Sequence, residues 1–169
     1  RRRWIMSLAV QAGCPVGCAF CDAGAGGYRG NLEPGEIVGQ ALRIAADNPE
    51  LDPARHPLIE ARLVRMGEPS LNPGVLEALR RLAGLDWKGL TPMLSTVAPD
   101  SPAIRPFFEE LLRVKDECFP GRLELQFSLH GTDRASRRRI VPLRTWPLEA
   151  IADYGARFLD SDPKLVLHF

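Results

Sequence analysis

Several things are scarce in this sequence. Only 4 of its 169 residues are cysteine; Cys14, Cys18 and Cys21 lie within eight residues, and Cys118 stands alone. Small disulfide-stapled proteins spread their cysteines in even sets, so a disulfide framework is excluded. Aromatic residues make up 7%, with 2 tyrosines, which leaves few rings for stacking on bases. No apolar run approaches the roughly 18 residues of a membrane span. Arg1-Arg2-Arg3-Trp4 opens no stretch long enough for the apolar core of a signal peptide. Repeats and low-complexity tracts are absent as well. A balance of 22 Lys+Arg against 21 Asp+Glu gives a net charge of +1, no global mark of a nucleic-acid binder. The cations are 19 Arg and 3 Lys, a ratio that reads as genomic base composition.

What is present is an ordinary globular composition, 45% hydrophobic and 25% charged, which excludes overall disorder. The length suits one domain with a sizeable core. The chain has no initiator Met and stops inside the apolar run Lys164-Leu165-Val166-Leu167-His168-Phe169, so residues 1–169 are expected to be one core domain from a longer protein. Short apolar runs alternate with amphipathic segments. Strands are expected over Trp4–Gln11, Ala61–Met66, Thr91–Thr96 and Leu123–Leu129, with a fifth at the end of the chain. Helices are expected from Pro34, with Ile37, Ala41, Leu42 and Ala45 inward. Others should begin at Asn72-Pro73, run from Pro102 to Cys118 with Ile104, Phe107, Phe108, Leu111 and Leu112 inward, and run from Leu148 to Leu159. Strands that alternate with helices at this spacing imply a parallel sheet. The fold class is α/β, a partial, truncated parallel β/α barrel.

The three clustered cysteines follow the first strand in a loop, 12–31, that also holds six glycines. Cys14-x-x-x-Cys18-x-x-Cys21 supplies three thiolates. A cubane 4Fe-4S cluster has four irons and is commonly held by four cysteines; three would leave one iron open to a cofactor or substrate. Phe20, just before the third cysteine, is placed to shield such a cluster from water. The competing reading is zinc closed by a distant fourth ligand, but paired C-x-x-C arms are usual there and no second arm exists. Clustered free thiols also imply a reducing compartment, the cytoplasm. Gly24-Ala25-Gly26-Gly27-Tyr28-Arg29-Gly30 fails as a nucleotide loop, since G-x-G-x-x-G needs glycine where Arg29 stands. Its glycines instead let backbone run close to the cluster and cofactor.

Further polar motifs fall at strand ends: Met66-Gly67-Glu68-Pro69, Leu94-Ser95-Thr96 and Ser128-Leu129-His130. Active sites of α/β barrels sit on the C-terminal face of the strands, so these segments and the cysteine loop converge. Glu68, between Gly67 and Pro69, suits an ammonium group through a charge-assisted hydrogen bond. Its plainer role is a helix-leading acid; Ser95 and Ser128 alone would be ordinary hydroxyls, and His130 alone a packed or solvated histidine.

The motif C-x-x-x-C-x-aromatic-C resembles that of the radical S-adenosylmethionine (SAM) enzymes. Within that superfamily the chain resembles the adenine carbon-2 RNA methyltransferases, from about Ala9 to Phe169. The matching residues include Gly13-Cys14, Gly17-Cys18, Phe20-Cys21, Asn31-Leu32, Glu36-Ile37-Val38-Gly39-Gln40, Gly67-Glu68-Pro69, Leu94-Ser95-Thr96, Ser128-Leu129-His130 and Arg139-Ile140-Val141-Pro142. The resemblance implies a 4Fe-4S cluster on Cys14, Cys18 and Cys21. It implies SAM contacts from Gly67, Glu68, Ser95, Ser128, Leu129 and His130, and reductive cleavage of SAM to a 5′-deoxyadenosyl radical. It also implies an RNA substrate and an electron donor such as a flavodoxin or ferredoxin. The chain departs from the family in one informative place: Ser7 stands where the family has a cysteine that works with a second, C-terminal one. No role is carried onto Cys118.

Arg134, Arg137, Arg138, Arg139 and Arg144 follow His130 closely, with only Asp133 opposing them. They read either as phosphate contacts or as a solvated helical face; Tyr28 and Trp146 are the nearby rings for stacking. Two alternatives to the RNA reading stand. One is a radical SAM enzyme acting on a peptide or small molecule without methyl transfer. The other is a non-catalytic module that binds zinc or a cluster.

Overall fold

The structure is a computed structural model that describes residues 3–159 and 164–169. Five strands form one sheet: β1 (Trp4–Leu8), β4 (Ile59–Leu63), β5 (Leu90–Thr96), β6 (Glu124–Ser128) and β7 (Lys164–His168). They lie side by side in chain order and every pairing is parallel. Between them run α1 (Pro34–Ala46), α2 (Gly74–Ala83), α3 (Arg105–Cys118), the short α4 (Arg134–Ile140) and α5 (Leu148–Leu159). Two small strands, β2 (Gln11–Ala12) and β3 (Gly30–Asn31), pair antiparallel apart from the main sheet. The result is an open, partial β/α barrel, the expected fold class. Among the described residues no helix is long and apolar enough to cross a membrane.

The two faces of the sheet differ because the strands alternate. On β5, Leu90, Leu94 and Thr96 are buried while Thr91, Met93 and Ser95 are half-buried; on β6, Leu125 and Phe127 are buried while Glu124, Gln126 and Ser128 are not. Leu8, Leu63, Leu94 and Phe127 meet Ile37, Leu79, Phe108 and Phe158 of the helices in one core. Each fully buried side chain of this size contributes about 1.5–3 kcal/mol. The opposite face is polar: Glu60 there accepts from Arg62 at 2.6 Å and from Arg3 at 3.3 Å.

Five expectations change in detail. The first strand ends at Leu8, not Gln11. There the Gln40 side-chain amide takes over both backbone groups of Ala9, donating to its carbonyl at 3.0 Å and accepting from its N–H at 2.8 Å. Beyond it, Val10 turns to the loop after β4, its N–H donating to the Met66 carbonyl at 2.9 Å. The second strand starts at Ile59, in register with Trp4, so Met66 to Pro69 lie beyond the strand rather than at its last residue. On α1, Val38 rather than Leu42 completes the buried face. The third helix begins at Arg105, the segment from Pro102 to Ile104 being a turn. The start at Pro34 holds, with Glu33 and Glu36 forming a reciprocal capping box; α2 begins at Gly74 with Pro73 rather than Asn72 at its cap, and Asn72 Oδ1 accepts from Gly74 N at 2.9 Å.

Candidate active site

Parallel β/α units send their connections out at the C-terminal strand ends, and a cavity of about 220 Å³ lies there. Cys14, Cys18 and Cys21 line it together with Gly67, Glu68, Ser95, Ser128 and His130. Of the SAM contacts that the resemblance implies, Leu129 alone does not line it. Its side chain lies in the core, its N–H donates to the His168 carbonyl at 2.7 Å, and its carbonyl accepts from Arg137 Nε at 3.2 Å. Cys118 sits at the end of α3, packed against the core.

The cysteine loop is held by sterics and a small apolar peg. The β2–β3 pairing closes its base. At Gly13, φ is +81° and a Cβ would lie 1.7 Å from the Gly27 carbonyl oxygen, so only glycine fits. Val16 is buried with Val97 and Val141, and Cys14 and Cys18 pack against this cluster. Ala19 N donates to the Ile140 carbonyl at 2.9 Å, tying the loop to the end of α4. Burial pushes the Cys14 thiol up, and it pushes Cys18 up to about 11, helped by the neighbouring Cys21 and Cys14 thiols. Among the described residues no three His, Cys, Asp or Glu side chains converge on a point that holds a single metal ion. Phe20 does not lie over the cysteines as a closed shield: it is 60% exposed and meets the His130 ring edge-on at 4.6 Å.

The loop after β4 is held by hydrogen bonds that converge on Glu68. This residue is 4% exposed. Its Oε1 accepts from Ser70 N at 3.1 Å, Ser70 Oγ at 2.8 Å and Thr96 Oγ1 at 2.5 Å; its Oε2 accepts from Val97 N at 2.9 Å. Burial raises the carboxyl's affinity for a proton, and these donors oppose that rise. Three of these four donors crowd Oε1 and one meets Oε2, so of the roughly two acceptor directions on Oε2 one has no donor among the described residues. Gly67, at φ +98°, has no room for a Cβ, which would lie 2.7 Å from Gln11 Cβ. Gln11 Oε1 accepts from Glu68 N at 2.8 Å, and Asn72 Nδ2 donates to the Val10 carbonyl at 2.7 Å.

On the sheet itself, the Ser95 and Ser128 hydroxyls lie 3.0 Å apart, and Gln126 Nε2 donates to Ser95 Oγ at 3.0 Å. His130 has a left-handed backbone, φ 55°, as do Ala98 after β5 and Arg65 after β4. Three consecutive strands therefore end in a strained residue, the pattern expected where a site dictates geometry. Burial lowers the proton affinity of His130, with His168 and Arg137 adding to it. Arg65, Thr96, Gln126 and His168 also line the cavity. Sequence reasoning missed them; the signal for His168 was present, as an inward position on the fifth strand in register with Ser128.

The arginine segment divides. Arg137 is 5% exposed, and its Nη1 donates to the Trp146 carbonyl at 2.7 Å. It is a structural brace rather than a phosphate contact. Arg144 pairs with Asp100 at 2.7 Å. Arg134, Arg138 and Arg139 remain exposed. Trp146 is no stacking platform, being packed in the core against Phe108. Tyr28 is exposed, with its hydroxyl donating to Asn31 Oδ1 at 3.0 Å.

No family model matches the chain. Its homologues among curated proteins are dual-specificity RNA methyltransferases. The probable dual-specificity RNA methyltransferase RlmN of Desulfitobacterium hafniense is 35% identical over 155 residues, 90% of this chain and 41% of that protein. The dual-specificity RNA methyltransferase RlmN 1 of Myxococcus xanthus is 36% identical over 172 residues, 99% of this chain and 44% of its own length. The chain thus spans less than half the length of these relatives. Among solved structures, a radical SAM methyltransferase from Sphaerobacter thermophilus superposes with a TM-score of 0.76 at 26% identity, covering 98% of this chain and 46% of that one. Spore photoproduct lyase shares the fold at a TM-score of 0.62 and 16% identity, over 96% of this chain and 44% of its own. The resemblance expected from the motifs holds.

Proposed function

We propose that residues 1–169 form the cofactor-bearing core of a radical SAM enzyme that acts on RNA in the manner of an adenine methyltransferase, in the cytoplasm. The observation that carries this reading is that three thiols from one loop line a single cavity with the polar residues of three consecutive strand ends. Homology to proteins named RNA methyltransferases supports the substrate class.

The donor set fits a 4Fe-4S cluster. It is all sulfur, and three thiols from one loop line one cavity, a donor set suited to an iron–sulfur cluster with one iron left open. Burial that disfavours free thiolates favours a cationic inorganic group that would neutralise them. Cys14, Cys18 and Cys21 would hold the cluster, and a bound cluster would supply the electron for reductive cleavage of SAM, received from a donor such as a flavodoxin or ferredoxin.

The chain's own residues then bind and orient. The free direction on Glu68 Oε2 suits the ammonium group of SAM. The paired Ser95 and Ser128 hydroxyls and the His130 ring offer hydrogen bonds to its polar groups, Gly67 lets backbone come close, and Leu129 acts by fixing the backbone that carries His130. Ser7, exposed on β1, lacks the ionisable thiol that a two-cysteine methyl-transfer route needs. We therefore read this chain as competent for SAM cleavage and not for that route.

Anaerobic reconstitution with iron and sulfide tests the core of this reading. The wild-type chain should gain the cluster's visible absorbance and, with a reductant, form 5′-deoxyadenosine from SAM. Cys18→Ala should lose both, while Cys118→Ala keeps both. A Cys18→Ala protein with a full cluster, or wild-type protein that takes up zinc and no iron, sinks the assignment.

A further inference from the structure

Arg65 is the residue at this cavity with the least structural reason to be there. The Met66 N–H donates to the Val64 carbonyl at 2.9 Å, which closes a γ-turn on Arg65 with φ 73°. A γ-turn with positive φ at its centre is rare and strained, and glycine or asparagine would meet the same backbone demand with less strain. The turn has little freedom to relax. Met66 O accepts from Val10 N at 2.9 Å on one side, and Glu68 N is held by Gln11 Oε1 at 2.8 Å on the other.

The side chain kept at this strained point is a long cation that lines the cavity, and among the described residues no lysine or second arginine lines it. Nearby cations are committed: Arg62 to Glu60, Arg137 to two carbonyls and Arg144 to Asp100. Arg65 has no hydrogen bond or ion pair among the described residues. It is exposed, whereas Glu68 is buried. The cavity therefore has a buried carboxyl group in its wall and an exposed guanidinium, unpaired among the described residues, on its lining. A cofactor held against the buried groups would leave the exposed Arg65 to meet a polynucleotide arriving from solvent.

We propose that Arg65 binds a backbone phosphate of the RNA beside the target nucleotide and so positions the substrate at the cavity. The proposal rests on the reading of RNA as substrate. A guanidinium matches the phosphate's paired oxygens through two parallel hydrogen bonds, and one such contact adds about one unit to the salt dependence of binding.

The test uses the full chain reconstituted with iron and sulfide, with a stem–loop RNA carrying an unpaired adenosine as probe. RNA affinity is measured across a potassium chloride series, SAM affinity by equilibrium dialysis, and folding by thermal melting. Arg65→Asn should bind the RNA roughly fivefold more weakly, with a salt slope smaller by about one. Its melting temperature should not fall, because asparagine tolerates the left-handed turn, and it should retain SAM. Arg65→Lys should restore most of the slope. Wild-type affinity and slope in Arg65→Asn would overturn the proposal alone. So would weakened SAM binding with RNA binding intact, which would make Arg65 a reader of the cofactor's carboxylate. A wild-type chain with no affinity for RNA overturns the substrate reading and this proposal together.

Discussion

The loop between β2 and β3 and the loop between β4 and α2 border the same cavity, yet different physics holds each of them. The first is fixed by glycines with no room for a side chain, a two-strand base and the buried Val16 peg. Of its three cysteines, Cys14 and Cys18 pack against that peg and Cys21 takes no part in it. The second is fixed by polar groups that converge on the Glu68 carboxylate. In one loop the residues proposed to carry chemistry stand largely apart from what fixes the fold; in the other the residue proposed to carry it is also the fold's anchor. A Cys21 substitution, away from the Val16 cluster, can therefore report on chemistry alone, whereas a Glu68 substitution cannot.

The largest effect that would break this comparison lies at Glu68. Glu68→Leu removes the acceptor and leaves the Val97 and Ser70 N–H groups and the Ser70 and Thr96 hydroxyls buried without it. Each buried donor without a partner costs about 1–3 kcal/mol, so denaturant unfolding should show a loss of about 3 kcal/mol or more. Glu68→Gln keeps one acceptor oxygen but turns an NH₂ toward donors, and about half that loss is expected. Weaker SAM binding in Glu68→Gln therefore bears on the ammonium contact only after correction for stability. A Glu68→Leu protein within about 1 kcal/mol of wild type would remove the carboxylate from its anchoring role.

The next effect separates steric from conformational control in the cysteine loop. Gly13 and Gly17 both have positive φ, 81° and 67°, but a Cβ at Gly13 meets the Gly27 oxygen at 1.7 Å while one at Gly17 meets nothing nearer than 4.0 Å. Gly17→Ala should cost about 1 kcal/mol, the price of a left-handed backbone for an L-residue. Gly13→Ala should cost about 2–3 kcal/mol, because the loop base must also move. Equal melting temperatures for the two variants would show that the loop yields freely at its base.

How much of this was legible beforehand follows the range of the interactions. The capping signals at Pro34 and Asn72-Pro73, the alternation on β6 and the cysteine spacing are local, and each was readable from neighbouring residues. The strand-end motifs were readable because barrel geometry brings such ends together. The partners of Glu68 were not: Thr96 and Val97 reach it across 28 and 29 residues, and nothing in Leu94-Ser95-Thr96 announces that the threonine turns to a carboxylate. Arg137 misled for the opposite reason. In a run of arginines each looks solvated, yet one of them, Arg137, turns inward to donate to the Leu129 and Trp146 carbonyls. Trp146 looked free because the sequence does not reveal that Phe108 and Tyr154 enclose it.

The smallest expected effect sharpens the comparison most. If the thiols stand largely apart from what fixes the fold, removing one from protein without metal should scarcely alter it. Cys21 is the best probe, since Cys14 and Cys18 pack against the Val16 cluster while Cys21 does not. Its N–H donates to the Cys18 carbonyl at 3.0 Å, a bond that a change of side chain leaves in place. Cys21→Ser is nearly isosteric, and a half-buried position away from the core tolerates such an exchange within about 0.5 kcal/mol. For a domain of this size that is a shift in melting temperature of about 2 °C or less. The same substitution should abolish the cluster after reconstitution, because serine supplies no thiolate. Fold and chemistry would then separate at one position. A metal-free Cys21→Ser protein that melts as low as Gly13→Ala would instead make the cysteine part of the scaffold, and the two loops would no longer differ in kind.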